Sequence, residues 1–197
     1  MKTGAVIMAS GFSRRMGENK LLLKYKGKTF IENTADKALE YGCDKVILVT
    51  SHKEVEQILG DFVKSSNNFM IVTNKNPAFG LSESIKNGLK ELRECDVCMF
   101  FTGDQPGLTL GTIKRILGRA GKDKIIIPKY RGKNGMPTAF GSDFFDELMK
   151  LEGDSGGKQI MNSHKESIEY VEINDPLEGF DIDTREDYEY FISKIWF

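Results

Sequence analysis

The stretch Gly4-Ala5-Val6-Ile7-Met8-Ala9-Ser10-Gly11-Phe12-Ser13-Arg14-Arg15-Met16-Gly17-Glu18-Asn19-Lys20 decides how the rest of the chain reads. Its first four residues form an apolar, β-branched run of the kind that makes a buried strand. Small residues then crowd the strand's end. Ala9, Ser10 and Gly11 let a ligand approach the backbone, because bulky Cβ substituents would hold it away. Arg14, Arg15 and Lys20 follow within ten residues, and guanidinium and ammonium groups are what a polyphosphate requires. The spacing is neither G-x-G-x-x-G nor G-x-x-x-x-G-K-[ST], so a dinucleotide fingerprint and a P-loop are both excluded.

Working outward, strand and helix alternate. Thr29 to Gly42 carries apolar residues at helical spacing, Lys45 to Thr50 reads as a second strand, and residues 52–63 read as a helix. Phe69 to Val72 is a third strand, Leu81 to Arg93 a helix, and Val97 to Phe101 a fourth strand. This alternation predicts an α/β fold, a doubly wound and mostly parallel sheet with helices on both faces. Ligands of such sheets bind beyond the carboxyl ends of the strands, which draws Ser10–Lys20, Thr73–Ser84 and Thr102–Pro106 to one edge. Past residue 120 the pattern changes: strands at Lys124–Pro128, Met136–Phe140 and Ile168–Ile173, and helices at Phe144–Leu151, after Gly153, and after the capping-box pair Thr184 and Asp187. A single domain over residues 1–197 is expected, with a nucleotide-binding half (1–120) and a smaller, acceptor-binding half (121–197).

Composition bounds the function. A hydrophobic content of 40% and a charged content of 29% suit a globular domain. No apolar run approaches the roughly 20 residues that cross a bilayer. Met1-Lys2-Thr3 leads directly into a strand without a secretory leader's apolar segment, so a cytoplasmic location is expected. A net charge of −1 argues against nucleic acid as a partner. The charge is uneven, however. Residues 2–28 carry seven basic side chains against Glu18, and residues 169–190 carry nine carboxylates against Arg185. If these ends meet, a basic lip faces an acidic one. Cys95 and Cys98 form a C-x-x-C, but with only Cys43, His52 and His164 to add, no zinc spacing results. On a strand, two sulfurs three residues apart would also point to opposite faces.

Asp104 follows an apolar strand and lies between Gly103 and Pro106, which restrict the chain there. Asp183 is read as a second acidic group that follows another strand. Two carboxylates plus phosphate oxygens suit Mg²⁺, which takes few protein ligands and completes its octahedron with substrate and water. Asp181-Ile182-Asp183-Thr184 also matches the start of a D-x-D-x-[TV] phosphatase motif, but Arg185 occupies its last position and too little chain follows to build that fold.

The opening stretch resembles the L-A-[AG]-G-x-S-x-R-M-G-x-x-K signature of glycosyltransferase-A-like nucleotidyltransferases. With Asn76–Ile85, Gly103-Asp104-Gln105-Pro106, Pro128–Pro137, Gly153–Gly156 and Asp181–Thr184, nearly the whole chain is similar to the molybdenum cofactor cytidylyltransferases of the MobA-like NTP transferase family. Met8, Ser10, Phe79, Met136 and Lys158 depart from the family's usual residues. The resemblance implies an Mg²⁺-dependent enzyme that transfers CMP from CTP to the terminal phosphate of molybdopterin and releases pyrophosphate. By position it implies that Ala9, Ser10 and Gly11 lie along the nucleotide and that Arg15 and Lys20 hold its triphosphate. It further implies that Gly80, Ser82 and Ser84 help select base and ribose, and that Asp104 and Asp183 hold the metal. Arg15, Lys20 and Asp104 are the expected catalytic residues. Alternatives in the same class are GMP transfer from GTP, or cytidylyl or uridylyl transfer to a sugar or polyol phosphate. A nucleotide-binding maturation factor for a molybdenum hydroxylase is the non-enzyme alternative, and that hydroxylase or its chaperone is a further expected partner.

Overall fold

A computed structural model describes residues 1–13 and 15–195; Arg14, one of the two arginines of the opening stretch, lies outside the described residues. The first strand, β1 (Thr3–Ala9), leads into a two-stranded ribbon of β2 (Lys24–Tyr25) and β3 (Lys28–Thr29). Helix α1 (Phe30–Tyr41) follows. Thr29 and Glu32 close a reciprocal cap at its start, and Gly42, at φ +90°, ends it in the left-handed region. The chain continues as β4 (Lys45–Thr50), α2 (Lys53–Ile58), α3 (Gly60–Ser65), β5 (Phe69–Thr73), α4 (Leu81–Lys90), β6 (Val97–Thr102) and α5 (Leu110–Leu117). It closes with β7 (Ile125–Tyr130), β8 (Lys133–Asn134), β9 (Thr138–Gly141), α6 (Phe145–Leu148), α7 (Lys158–Ser163), β10 (Ile168–Ile173) and α8 (Arg185–Ile195).

The sheet runs β10-β7-β9-β6-β1-β4-β5, with β8 paired to β7. β1 is parallel to both β4 and β6, β4 to β5, and β7 to β10; β9 is antiparallel to both its neighbours. After β5 the chain crosses back to place β6 on the other side of β1, so the strand order reverses between β1 and β6. Ligand crevices form at such reversals.

Alternation along β1 feeds two cores. Ala5, Ile7 and Ala9 pack with Ile31 and Ala35 of α1 and Ile113 and Ile116 of α5, whereas Val6 and Met8 pack with Ile85 and Leu89 of α4 and Leu148 of α6. Helices therefore cover both faces, as the sequence pattern requires. Gly88 lets α4 sit directly on the sheet, since a Cβ there would lie 2.5 Å from Val6.

Two sequence expectations are corrected. The segment 52–63 is two short helices, because the chain turns at Leu59 and Gly60 and the α-helical ladder is not continuous through them. Cys95 and Cys98 do not point to opposite faces. Cys95 precedes β6, so strand alternation does not reach it, and both thiols are buried in the α4 core. Burial pushes both thiols up, Cys98 the further.

Candidate active site

The loop that leaves β1 is pinned to the end of β4 at three successive residues. Thr50 Oγ1 donates to the Ala9 carbonyl at 2.9 Å, Ser10 Oγ donates to the Val49 carbonyl at 3.2 Å, and His52 Nε2 lies 2.9 Å from the Gly11 carbonyl oxygen. The Ser10 hydroxyl is thus engaged with the protein. Further along, Ser13 Oγ accepts from the Lys20 amide, and Asn19 caps the 3-10 turn that begins at Lys20 by accepting from the Leu21 amide. These contacts aim Lys20 back across the end of the sheet.

Lys20 meets both candidate carboxylates. Its Nζ is 2.6 Å from Asp104 Oδ2 and 2.8 Å from Asp183 Oδ1, and Arg15 reaches Asp183 Oδ2 at 2.8 Å. The basic and acidic ends of the chain do meet, over 163 residues of sequence. The Lys20 and Asp104 side chains are only 15% and 17% exposed, Asp183 is 33% exposed, and Arg15 stands in solvent. Burial works against the Lys20 ammonium, but the charges of Asp104 and Asp183 outweigh it and raise its pKa. For Asp183, partial burial is likewise outweighed, by Lys20 and then Arg15, and the carboxyl is held below its ordinary value.

Asp183 stays near Asp104 because two segments are stapled together. The Ile182 amide donates to the Asp104 carbonyl at 3.1 Å, and Gln105 Nε2 donates to Asp181 Oδ1 at 2.8 Å. Thr109 adds its amide and hydroxyl to Glu178. Beyond Asp183, Asp187 accepts from the Asp183 and Thr184 amides and starts α8. Burial and the neighbouring Asp104 charge push Asp181 up to about 6, with the Gln105 hydrogen bond opposing them. Sequence reading assigned no role to Asp181 or Gln105. Both lie inside the quoted motifs, yet the pairing spans 76 residues and no local pattern announces it.

The cleft above these residues encloses about 500 Å³, in the range of small-molecule sites. Ala9, Ser10, Gly11 and Lys20 line one side, Gly80 and Ser84 another, and Asp104 the base. Arg15 joins through Asp183. Ser84 accepts from Asn74 Nδ2 at 3.4 Å. Gly80 has φ +85°, and a Cβ on it would lie 2.4 Å from the Asp154 carboxylate, so only glycine fits there. Ser82 is placed differently. It faces a shallower hollow with Phe79 and Lys86, and its buried hydroxyl finds no partner among the described residues.

Oδ1 of Asp104 is also buried without a hydrogen-bond partner among the described residues. Such an oxygen is costly unless a cation or donor serves it. Asp104 and Asp183 already share one cation, Lys20, and this donor set of two carboxylates fits a hard divalent ion. Among the described residues no group of three or more His, Cys, Asp or Glu forms an all-protein cage. A divalent ion here would draw its other ligands from substrate and water. Among those residues, too, no helix is long and apolar enough to cross a membrane.

Comparison with known proteins bears on the chemistry. Residues 5–168 match the family model described as the MobA-like NTP transferase domain. The molybdenum cofactor cytidylyltransferase of Escherichia coli is 28% identical over 185 residues, covering 93% of this chain and 92% of that one. A probable molybdenum cofactor guanylyltransferase of Natranaerobius thermophilus is 34% identical over 132 residues, covering 65% and 60%. Among solved structures, a nucleotidyl transferase from Methanothermobacter thermautotrophicus superposes with a TM-score of 0.84 at 28% identity, over 98% of this chain and 99% of that one. A Mycobacterium tuberculosis protein solved in complex with manganese gives 0.79 at 23%, over 99% and 100%, and shares the fold.

Proposed function

The chain belongs to the MobA-like NTP transferase family, and on that premise we propose that it transfers CMP from CTP to the terminal phosphate of molybdopterin. A terminal phosphate oxygen of the acceptor attacks the α-phosphorus. The bond from the α-phosphorus to the bridging oxygen breaks, and pyrophosphate leaves with that electron pair. The nucleophile is already anionic at neutral pH, so no general base is needed; the protein positions the reactants and neutralises charge.

The observation that carries this reading is Lys20, held at the meeting point of Asp104 and Asp183 at the foot of a nucleotide-sized cleft. Lys20 and Arg15 would contact the triphosphate. Asp104 and Asp183 would hold Mg²⁺, which when bound supplies Lewis-acid neutralisation of the phosphate oxygens. Ala9, Ser10 and Gly11 would lie along the nucleotide through their backbone, and Gly80 and Ser84 would frame base and ribose. Ser82 lines the adjacent hollow and not the cleft itself, so it is left out of the nucleotide contacts proposed here. Residues 1–120 would bind the nucleotide and residues 121–197 the acceptor, with Asp183 the contribution of the second half to the metal.

The second reading is GMP transfer from GTP. It is favoured by the guanylyltransferase relative and by the Ser10 hydroxyl, which is spent on Val49 and leaves base selection to backbone. Pyrophosphate release with Mg²⁺, molybdopterin and each of CTP, GTP, ATP and UTP decides between them. Release that requires both CTP and molybdopterin supports the first reading, and release with GTP the second. Tight CTP binding with no release under any condition would leave a nucleotide-binding maturation factor for a molybdenum hydroxylase.

A further inference from the structure

We propose that the shallow hollow beside Gly80 is a second binding site, which takes a guanidinium cation and couples it to the nucleotide cleft. The coupling rests on the reading of that cleft as a nucleotide site; the hollow itself does not. It encloses about 390 Å³ between the turn that leads into α4 and the turn at 152–154 that precedes α7. Backbone contacts fix its walls. The Ser82 amide donates to the Gly153 carbonyl at 3.1 Å, and the two turns touch at Gly80, where a Cβ would lie 2.5 Å from the Gly153 carbonyl carbon.

The lining is suited to a cation. Lys86 Nζ is 2.6 Å from Glu83 Oε1, so these two charges are spent on each other. The carboxylates of Glu152 and Asp154 have no hydrogen bond or ion pair among the described residues, which leaves the hollow with unmatched negative charge. Acidic groups alone would say little, but Ser82 adds an independent signal. It is 1% exposed, and its buried hydroxyl has no partner among the described residues. Such a group is costly to leave unpaired, and rotation about a single side-chain bond offers it to a donor seated in the hollow. Phe79, 63% exposed, forms the rim.

These features select one chemistry. The carboxylates repel an anion, and a hard metal ion wants a shell of oxygen ligands and gains nothing from a phenyl ring. A guanidinium is weakly hydrated, lays its flat face on an aromatic ring, and carries enough N–H donors on its edge for two carboxylates and a hydroxyl. An ammonium has fewer donors and no flat face. The guanidinium can belong to a free small molecule or to an arginine side chain of another protein. Either way the nucleotide cleft should respond, because Ala78, Gly80 and Asp154 line both spaces. A cation paired with Asp154 offsets the repulsion between that carboxylate and an anionic nucleotide, and each ligand then strengthens the other by the same factor.

The test is an NMR amide-shift titration of the full chain with acetyl-arginine-methylamide, agmatine, and the citrulline and lysine counterparts of the first. The arginine compound should bind with a Kd of about 1 mM, move the amides of residues 78–86 and 152–154, and bind more tightly than the lysine compound; the neutral citrulline compound should not bind. Binding of agmatine alone would assign the site to a small molecule, and binding of the peptide mimic to an arginine side chain. Glu152→Gln and Phe79→Ala should each weaken binding about threefold, and Glu152→Gln should leave affinity for α,β-methylene-CTP unchanged. Ser82→Ala should weaken guanidinium binding without lowering the melting temperature, because the hydroxyl has no partner to lose. With Mg²⁺ present, a saturating guanidinium should raise affinity for the CTP analogue about threefold. No shift with any guanidinium probe at about 10 mM, equal binding of the citrulline compound, unchanged affinity in Glu152→Gln, or a lower melting temperature in Ser82→Ala would overturn the site, and an unaltered CTP-analogue affinity would overturn the coupling. Guanidinium binding in a protein that does not bind the CTP analogue would remove the nucleotide reading and leave the hollow; the reverse result would remove the hollow alone.

Discussion

Replacing Lys20 by Met removes the one ammonium that Asp104 and Asp183 share, while keeping a side chain of similar length. The Asp104 and Lys20 side chains are more than four-fifths buried, so their contact is screened little by solvent; Asp183 is one-third exposed, and its contact counts for less. Taking a charged hydrogen bond at about 1.5–3 kcal/mol and discounting the second, the loss is about 3 kcal/mol. For a chain of this size that lowers the melting temperature by about 6–12 °C. A divalent ion should then recover much of the loss, because it offers the two carboxylates a replacement cation. Turnover should remain reduced by about 10²-fold or more, since metal cannot also replace the ammonium at the triphosphate. Differential scanning fluorimetry of wild type and Lys20→Met, with and without Mg²⁺, reads the stability terms, and pyrophosphate release reads the last. A melting temperature within about 2 °C of wild type without metal, or an equal Mg²⁺ shift in both proteins, would refute the reasoning.

Asp104→Asn should leave the fold intact and reduce pyrophosphate release by about 10²-fold or more; rates near wild type would remove Asp104 from the reaction. Gln105→Leu should weaken apparent Mg²⁺ affinity by about tenfold, because Asp181 loses its tether and the Asp104 and Asp183 segments can drift apart. A metal titration that changes kcat but not the half-saturating Mg²⁺ concentration would contradict that. Lys37, whose Nζ donates to the Pro106 carbonyl, is lowered to about 8 by burial and the neighbouring Lys26. The folded state disfavours its charged form, so a cost is fully present below pH 8 and is relieved as pH rises from about 8 toward about 10.4, the value of an unfolded lysine. Lys37→Met should therefore melt higher than wild type at pH 7, with the difference shrinking by pH 10; a constant difference would show that Lys37 does not titrate differently on folding.

The nucleotide half was legible because its information is local. The strand that ends in Ala9-Ser10-Gly11, the small residues, and the basic side chains that follow sit within seventeen consecutive positions, and β–α alternation fixes which edge they share. Asp104 could be found from its place after β6, and Asp183 from the charge of the segment around it. What escaped were relations across the chain. Gln105 and Asp181 look like ordinary polar neighbours of the two candidate ligands until the fold pairs them. Lys20 read as one more basic side chain turned toward a polyphosphate, yet it is largely buried between two carboxylates. The break at Leu59 and Gly60 was hidden by apolar spacing that suits one helix or two. The C-x-x-C alternation failed because β6 begins at Val97, after the first cysteine, and strand boundaries are set by pairing partners that periodicity does not reveal.

The most direct test of the central claim follows the α-phosphorus. With CTP labelled at the α-phosphate, Mg²⁺ and molybdopterin, the label should appear in a pterin-linked product in a one-to-one ratio with unlabelled pyrophosphate. Label that stays in CTP, or is released as free CMP without joining the acceptor, would contradict the account.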